Sequence, residues 1–177
     1  MSEIIRVGDH APDTPFALDV VFLHGLDGDP RKTWYQGSPE RFWPGWIADD
    51  HPDVRVLSVG YDAASSKWKG GTSVRLTELG VNVLTRLRQE GVGARPICFV
   101  THSLGGLLAK TMLLQAAYHR PEYAGIADHT RAVVFLATPH DGASIARIAR
   151  LHGFLRPAPV LIDLLDNSAA LLDLNND

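Results

Sequence analysis

The chain has a single cysteine, Cys98, so no disulfide can form within it, and this usage fits a reducing compartment. No apolar run approaches the length of a membrane span. The N-terminal stretch MSEIIRVGDH is charged and carries no apolar core of a signal peptide, so a cytoplasmic location is expected. Excess positive charge is also lacking. Lys and Arg number 17 against 20 Asp and Glu, a net charge of −3, which argues against nucleic acid or a strongly anionic membrane as electrostatic partner. The loose basic clusters at Arg31-Lys32 and Lys67–Lys69 read as solvated surface. No Cys/His cluster has zinc spacing, and neither Gly70-Gly71 nor Gly105-Gly106 belongs to a phosphate-binding G-x-G-x-x-G. No metal and no cofactor are expected. Internal repeats, low-complexity tracts and linkers are absent. With 177 residues and 45% hydrophobic content, the chain is expected to form one domain over residues 1–177.

The most informative stretch present is Thr101-His102-Ser103-Leu104-Gly105-Gly106. It follows an apolar run, Pro96 to Val100, and opens an amphipathic run from Leu104 to Tyr118. Strand, sharp turn with a central serine, then helix is the layout of a nucleophile elbow. Small residues are needed where the helix meets the strand, and Gly105 and Gly106 supply them. The Ser103 hydroxyl then stands at a helix N-terminus, where the Leu104 N–H and the helix dipole favour negative charge. Acyl transfer needs that environment because its transition state carries an oxyanion. The motif departs from G-x-S-x-G in having Thr101 at its first position. The competing reading makes Ser103 an ordinary helix cap.

Two further segments strengthen the first reading. Val20 to Leu23 is an apolar strand ending in His24-Gly25-Leu26. A loop of this kind supplies the second oxyanion donor, here the Leu26 N–H beside that of Leu104. His24 is read as a buried histidine holding the loop by hydrogen bonds rather than as a catalytic group. Arg131 to Ala137 is a strand of buried type, followed by Thr138-Pro139-His140-Asp141-Gly142.

With these segments in hand the chain resembles the α/β-hydrolases. Within them it is most similar to the lipase-like serine esterases that include the GPI inositol deacylases and the serine-active-site-containing proteins. The residues that carry the resemblance are 20–34 (VVFLHGLDGDPRKTW), 54–63 (VRVLSVGYDA), 99–110 (FVTHSLGGLLAK) and 133–144 (VVFLATPHDGAS). The resemblance implies a Ser-His-Asp triad that hydrolyses carboxylic esters, often of lipids, without metal or organic cofactor. It also implies a structural role for His140 within the T-P-H element, and a cap formed by helices after this strand.

The remaining elements fit that fold class. Ile4 to Val7 reads as a short strand, Arg31 to Gly37 as loop, and Trp43 to Ile47 as a short helix. Trp34, Trp43 and Trp46 are read as packing under a long loop, with a substrate cleft as the alternative. Val54 to Val59 reads as a strand. Thr72 or Ser73 caps a helix running to about Gln89, and Gly91 stops it. Strands alternating with helices predict an α/β fold, a mostly parallel sheet flanked by helices. Ligands bind at the carboxyl ends of such strands, where Ser103, Leu26, Asp62 and His140 all fall. Residues 143–177 read as short helices, either a cap or ordinary packing helices. No β-branched run follows Ala137, so the sheet is expected to be incomplete at its C-terminal side.

A serine nucleophile needs a base, and the base an orienting acid. His102 is expected to point away from the site, and His119 and His129 to lie at the bottom or surface. His140 is the best local candidate for the base. Asp62, Asp141, His152, Asp163 and Asp166 read as solvated. The expectation is a serine hydrolase of esterase or lipase type, acting through an acyl-enzyme on Ser103, with Leu26 and Leu104 as oxyanion donors and His24, Gly25, His102 and Gly105 in support. Its triad acid and base lie outside this chain, which is the N-terminal part of a larger domain or a shortened relative. An ester or lipid is the expected partner. Peripheral membrane contact stays open, and self-association through an exposed sheet edge is expected. The alternative is a catalytically incomplete hydrolase-like module used for protein interaction.

Overall fold

The computed structural model describes residues 3–10, 14–63 and 76–140. The elements run β1 (Glu3–Val7), β2 (Leu18–Leu23), β3 (Tyr35–Gln36), β4 (Ser38–Phe42), α1 (Trp43–Asp50), β5 (Val54–Gly60), α2 (Leu76–Gln89), β6 (Ile97–His102), α3 (Leu104–Leu114), α4 (Ala124–His129) and β7 (Thr130–Leu136). The main sheet has the order β1-β5-β2-β6-β7. Only β1 is antiparallel to its neighbour; β5, β2, β6 and β7 pair in parallel.

Side-chain alternation on β2 explains the layering. Val21 and Leu23 face one side and pack with α2, α3 and Ile126 of α4, while Val20 and Phe22 face the other and pack with Trp34 and Ala48 of α1. Val21, Phe22 and Leu23 are all 0% exposed, so β2 is covered on both faces. A central parallel strand therefore reads as a continuous apolar run instead of an alternating one. On α2 the residues Leu76, Leu79, Val83, Leu84 and Leu87 recur at helical spacing and are buried together. Gly91, at φ 72°, ends that helix. Its N–H donates to Arg88 O and that of Val92 to Leu87 O, which satisfies the last carbonyls.

At the end of the sheet remote from Ser103, Asp19 ties three segments together. It is 0% exposed and receives two bonds from Arg55, at 2.7 and 2.8 Å, and one from Arg95 at 3.0 Å. Asp19 and Arg55 are register partners across the β2–β5 pair.

Three departures from expectation have physical causes. The stretch read as loop, Arg31 to Gly37, supplies the first strand and the turn of a short hairpin, β3–β4. Gly37 at φ 81° makes its turn, and Tyr35 meets Phe42 with ring centroids 5.8 Å apart. The helix opened by Leu104 ends at Leu114 and continues as a π-helical turn over Gln115–His119. Strand β7 is apolar but largely exposed, with Val134 at 40% and Phe135 at 37%. Among the described residues β6 is its only strand partner, so its composition overstates its burial. The expected caps Thr72 and Ser73 lie outside the described residues, as do residues 143–177.

Candidate functional site

Ser103 joins β6 to α3 with φ 51° and ψ −121°, a left-handed backbone that costs a residue bearing a Cβ about 1–3 kcal/mol. Its side chain makes no capping hydrogen bond, so the helix-cap reading has no bond behind it. Its N–H donates to Leu136 O at 2.8 Å. The following glycines are dictated by space. A Cβ on Gly105 would stand 2.3 Å from Leu23 O and 2.5 Å from His24 O. A Cβ on Gly106 would stand 2.1 Å from Thr138 Oγ1. The start of α3 is thus pressed against the ends of β2 and β7. Thr101 also has a reason for its place: it is fully buried, and its hydroxyl donates to Val134 O at 2.9 Å, tying β6 to β7. The first N–H groups of a helix have no partner inside it, and that of Leu104 is the first of α3.

The loop after β2 comes to the same place. A Cβ on Gly25 would lie 2.9 Å from Ser103 Cβ and 3.1 Å from His102 O, so only glycine permits this approach. Gly28 N–H donates to Gly25 O at 3.1 Å, and Asp27 N–H donates to Ala63 O at 3.1 Å. Further along, the Asp29 carboxylate accepts from the N–H groups of Arg31 and Lys32 at 2.8 and 2.9 Å. Chiefly the bond from Lys32 holds Asp29 below the usual carboxylate range. Leu26 is half-buried and packs against the larger core cluster.

His24 is 1% exposed, and its Nδ1 lies 2.8 Å from Gly25 O. Its ring stacks on Tyr61 with centroids 4.0 Å apart. Burial pushes its pKa down from the ordinary value. Sequence reasoning passed over Tyr61, which is 6% exposed and sits at the end of β5; its presence in a Gly-Tyr-Asp step at a strand end was the available signal.

His102 is half-buried, and burial lowers its pKa as well. It lines a cavity of about 430 Å³ with Trp34, Trp43, Trp46, Gln36 and Leu136. Trp34 itself is 5% exposed and meets Phe22 edge-on at 4.9 Å, so the tryptophans both pack under the loop and wall a cleft. His140 is half-buried with its ring edge-on to Phe135 at 4.8 Å. His129 lies at the opposite end of the sheet from Ser103, its Nδ1 2.9 Å from Gly125 O, and His119 is exposed at the end of the π-helical turn. Asp62 is exposed beyond β5. Asp141, Gly142, His152, Asp163 and Asp166 lie outside the described residues. Among the described residues, no group of three or more His, Cys, Asp or Glu side chains could hold a metal ion. Cys98 is half-buried on β6, and desolvation raises its thiol pKa.

Residues 18–153 match the model of a family described as "Putative serine esterase (DUF676)". Protein SERAC1 of Mus musculus is 34% identical over 183 residues, covering 92% of this chain and 28% of that protein. Protein SERAC1 of Homo sapiens matches with the same identity and coverage, 34% with 92% and 28%. The chain spans less than a third of the length of these relatives. Among solved structures, the mature lipase BlEst2 of Bacillus licheniformis superposes with a TM-score of 0.59 at 16% identity, covering 100% of this chain and 66% of that one. Phospholipase PlaB from Legionella pneumophila gives a TM-score of 0.59 at 16% identity, covering 90% and 35%. Identities this low speak for the fold alone.

Proposed function

This chain belongs to that serine esterase family, a lipase-like branch of the α/β-hydrolases, and from this premise we propose that it hydrolyses carboxylic esters through Ser103. The observation that carries the reading is the backbone of Ser103, left-handed at a strand-to-helix junction with its hydroxyl not used as a cap. Residues held in such costly conformations cluster at active sites, and a serine at a strand-to-helix turn is the place of an acyl-transfer nucleophile.

In the proposed reaction Ser103 Oγ attacks the ester carbonyl carbon as a base takes its proton. The N–H groups of Leu104 and Leu26 hold the oxyanion. The intermediate collapses with loss of the alcohol, which receives the proton, and leaves an acyl group on Ser103. Water then releases the acid. The favoured base lies outside the described residues; among them His140 is the local candidate. The cavity walled by Trp34, Trp43, Trp46 and Leu136 adjoins His102, the residue before the nucleophile, and suits the apolar part of a lipid ester.

The test is reaction of the folded chain with a fluorophosphonate, beside Ser103→Ala and His140→Gln. Labelling that is abolished in Ser103→Ala supports the nucleophile. Labelling that also falls in His140→Gln assigns the base. A folded, unlabelled wild-type chain means that no base serves Ser103 within these residues, and overturns the reading of this chain as an esterase in its own right in favour of a catalytically incomplete module.

A further inference from the structure

Two donors converge on one backbone oxygen beside Ser103. His24 Nδ1 lies 2.8 Å from Gly25 O, and Gly28 N–H donates to the same oxygen at 3.1 Å. A carbonyl oxygen only accepts, so Nδ1 carries the proton. Nε2 of a neutral ring is then an acceptor, and the N–H of Tyr61 stands 3.4 Å from it, on the donating side. The two assignments agree, and each rests on a different partner. Tyr61 closes the circuit, since its hydroxyl donates to His24 O. The two rings stack with an interplanar angle of 14°, which keeps both bonds in place. Each residue is almost wholly removed from solvent.

A peptide unit is planar, and this one is trans. The carbonyl of Gly25 and the N–H of Leu26 belong to the same unit and point in opposite directions. Holding the oxygen therefore aims the hydrogen. A flipped unit would lose the bonds to Gly25 O and bring the Leu26 N–H against the Nδ1–H of His24, donor against donor.

From this we infer that Tyr61 and His24 are positioning residues that lock the Gly25–Leu26 peptide in one orientation, with the Leu26 N–H directed away from the His24 ring and open to an oxyanion on Ser103 before substrate arrives. The inference rests on the esterase reading only for what the Leu26 N–H does. The lock itself is a statement about tautomer and peptide orientation. It also distinguishes the two sides of the His24 ring: the Nδ1 side aims the donor, and the Nε2 side anchors the ring to β5.

Side-chain amides separate those sides. In His24→Asn the amide nitrogen falls near the place of Nδ1 and can still donate to Gly25 O. In His24→Gln the amide falls near the place of Nε2 and cannot. Tyr61→Phe removes only the hydroxyl and keeps the stack. Two readouts are taken on the full chain. Imidazole ¹⁵N shifts and the Leu26 amide resonance report the lock, and the rate of fluorophosphonate attack reports its use. Nδ1 is expected to be protonated and Nε2 bare. His24→Asn should leave the Leu26 resonance near its wild-type position and the labelling rate within a few-fold. His24→Gln should displace the resonance and slow labelling about 10²-fold, the scale of a lost oxyanion donor. Tyr61→Phe should slow it about tenfold, the worth of one hydrogen bond. A merely structural His24 would make the Asn and Gln variants alike in both readouts, and that result, or a proton on Nε2, overturns the lock. A wild-type chain that resists the probe while the resonances behave as stated rejects the esterase reading and leaves the lock standing.

Discussion

Ser103 is the residue on which conformation and chemistry bear together. Its φ of 51° is costly for any side chain with a Cβ, and glycine alone adopts it freely. Ser103→Ala and Ser103→Gly should both abolish labelling, yet the glycine variant should be the more stable by about 1 kcal/mol, read from urea unfolding midpoints. Equal midpoints would mean that the backbone is relaxed at this position. His24 and His102 make a second prediction. Burial holds both pKa values below the ordinary 6.5 of a free histidine. In the folded chain both rings stay neutral where the unfolded chain already takes up protons. Stability is therefore full above about pH 6.5 and falls as pH drops through that value towards the folded pKa values. Asp29, held below its ordinary 3.8, loses its contribution only in a more acid range. His24→Asn should flatten the loss of stability between about pH 7.5 and about pH 5.5; an unchanged slope would place the titration elsewhere.

Elements show what could be read in advance. Strands β2 and β6 were legible because parallel strands covered on both faces appear as apolar runs, and β5 because Val54–Val59 alternates and is β-branched. The turn at Ser103 was legible because strand, small residues and helix follow one another within a few positions. The β3–β4 hairpin was hidden because Ser38–Phe42 is mostly polar and the hairpin depends on one glycine turn and one aromatic pair. Tyr61 was hidden for a different reason: its partner His24 is 37 residues away, and no local pattern joins them. The same limit applies to a triad base, which only the fold can bring to the serine. Element junctions also carry two stability predictions. Gly105→Ala drives a Cβ into two backbone carbonyls, which cannot move aside, whereas Gly106→Ala meets side-chain atoms of Thr138 (Oγ1 and Cγ2) and Phe135, which shift more easily than backbone. The first should cost about 3 kcal/mol or more and the second clearly less, by chemical denaturation. Asp19→Ala leaves Arg55, whose side chain is 12% exposed, without its carboxylate. A loss of about 3–5 kcal/mol is expected, and a loss under about 1 kcal/mol would mean that the arginines find water instead.

At the scale of the whole molecule the sheet is asymmetric. One edge is the antiparallel β1; the other, among the described residues, is β7 with Val134 and Phe135 exposed. We propose that this edge drives self-association of the chain. Light scattering should show a mass that rises with concentration, and Val134→Lys should reduce it; a monomer at all concentrations would reject the proposal. The strand order has a consequence in time as well. Val21 pairs with Leu57 on one side and with Phe99 on the other. The centre of the sheet thus cannot zip from neighbouring residues, and its most apolar strand leaves the ribosome long before its second partner does. Chains built from such distant pairings fold in milliseconds to seconds rather than microseconds. Until β6 is synthesised, β2 is a sticky, half-paired segment, and a holding chaperone would bind it there.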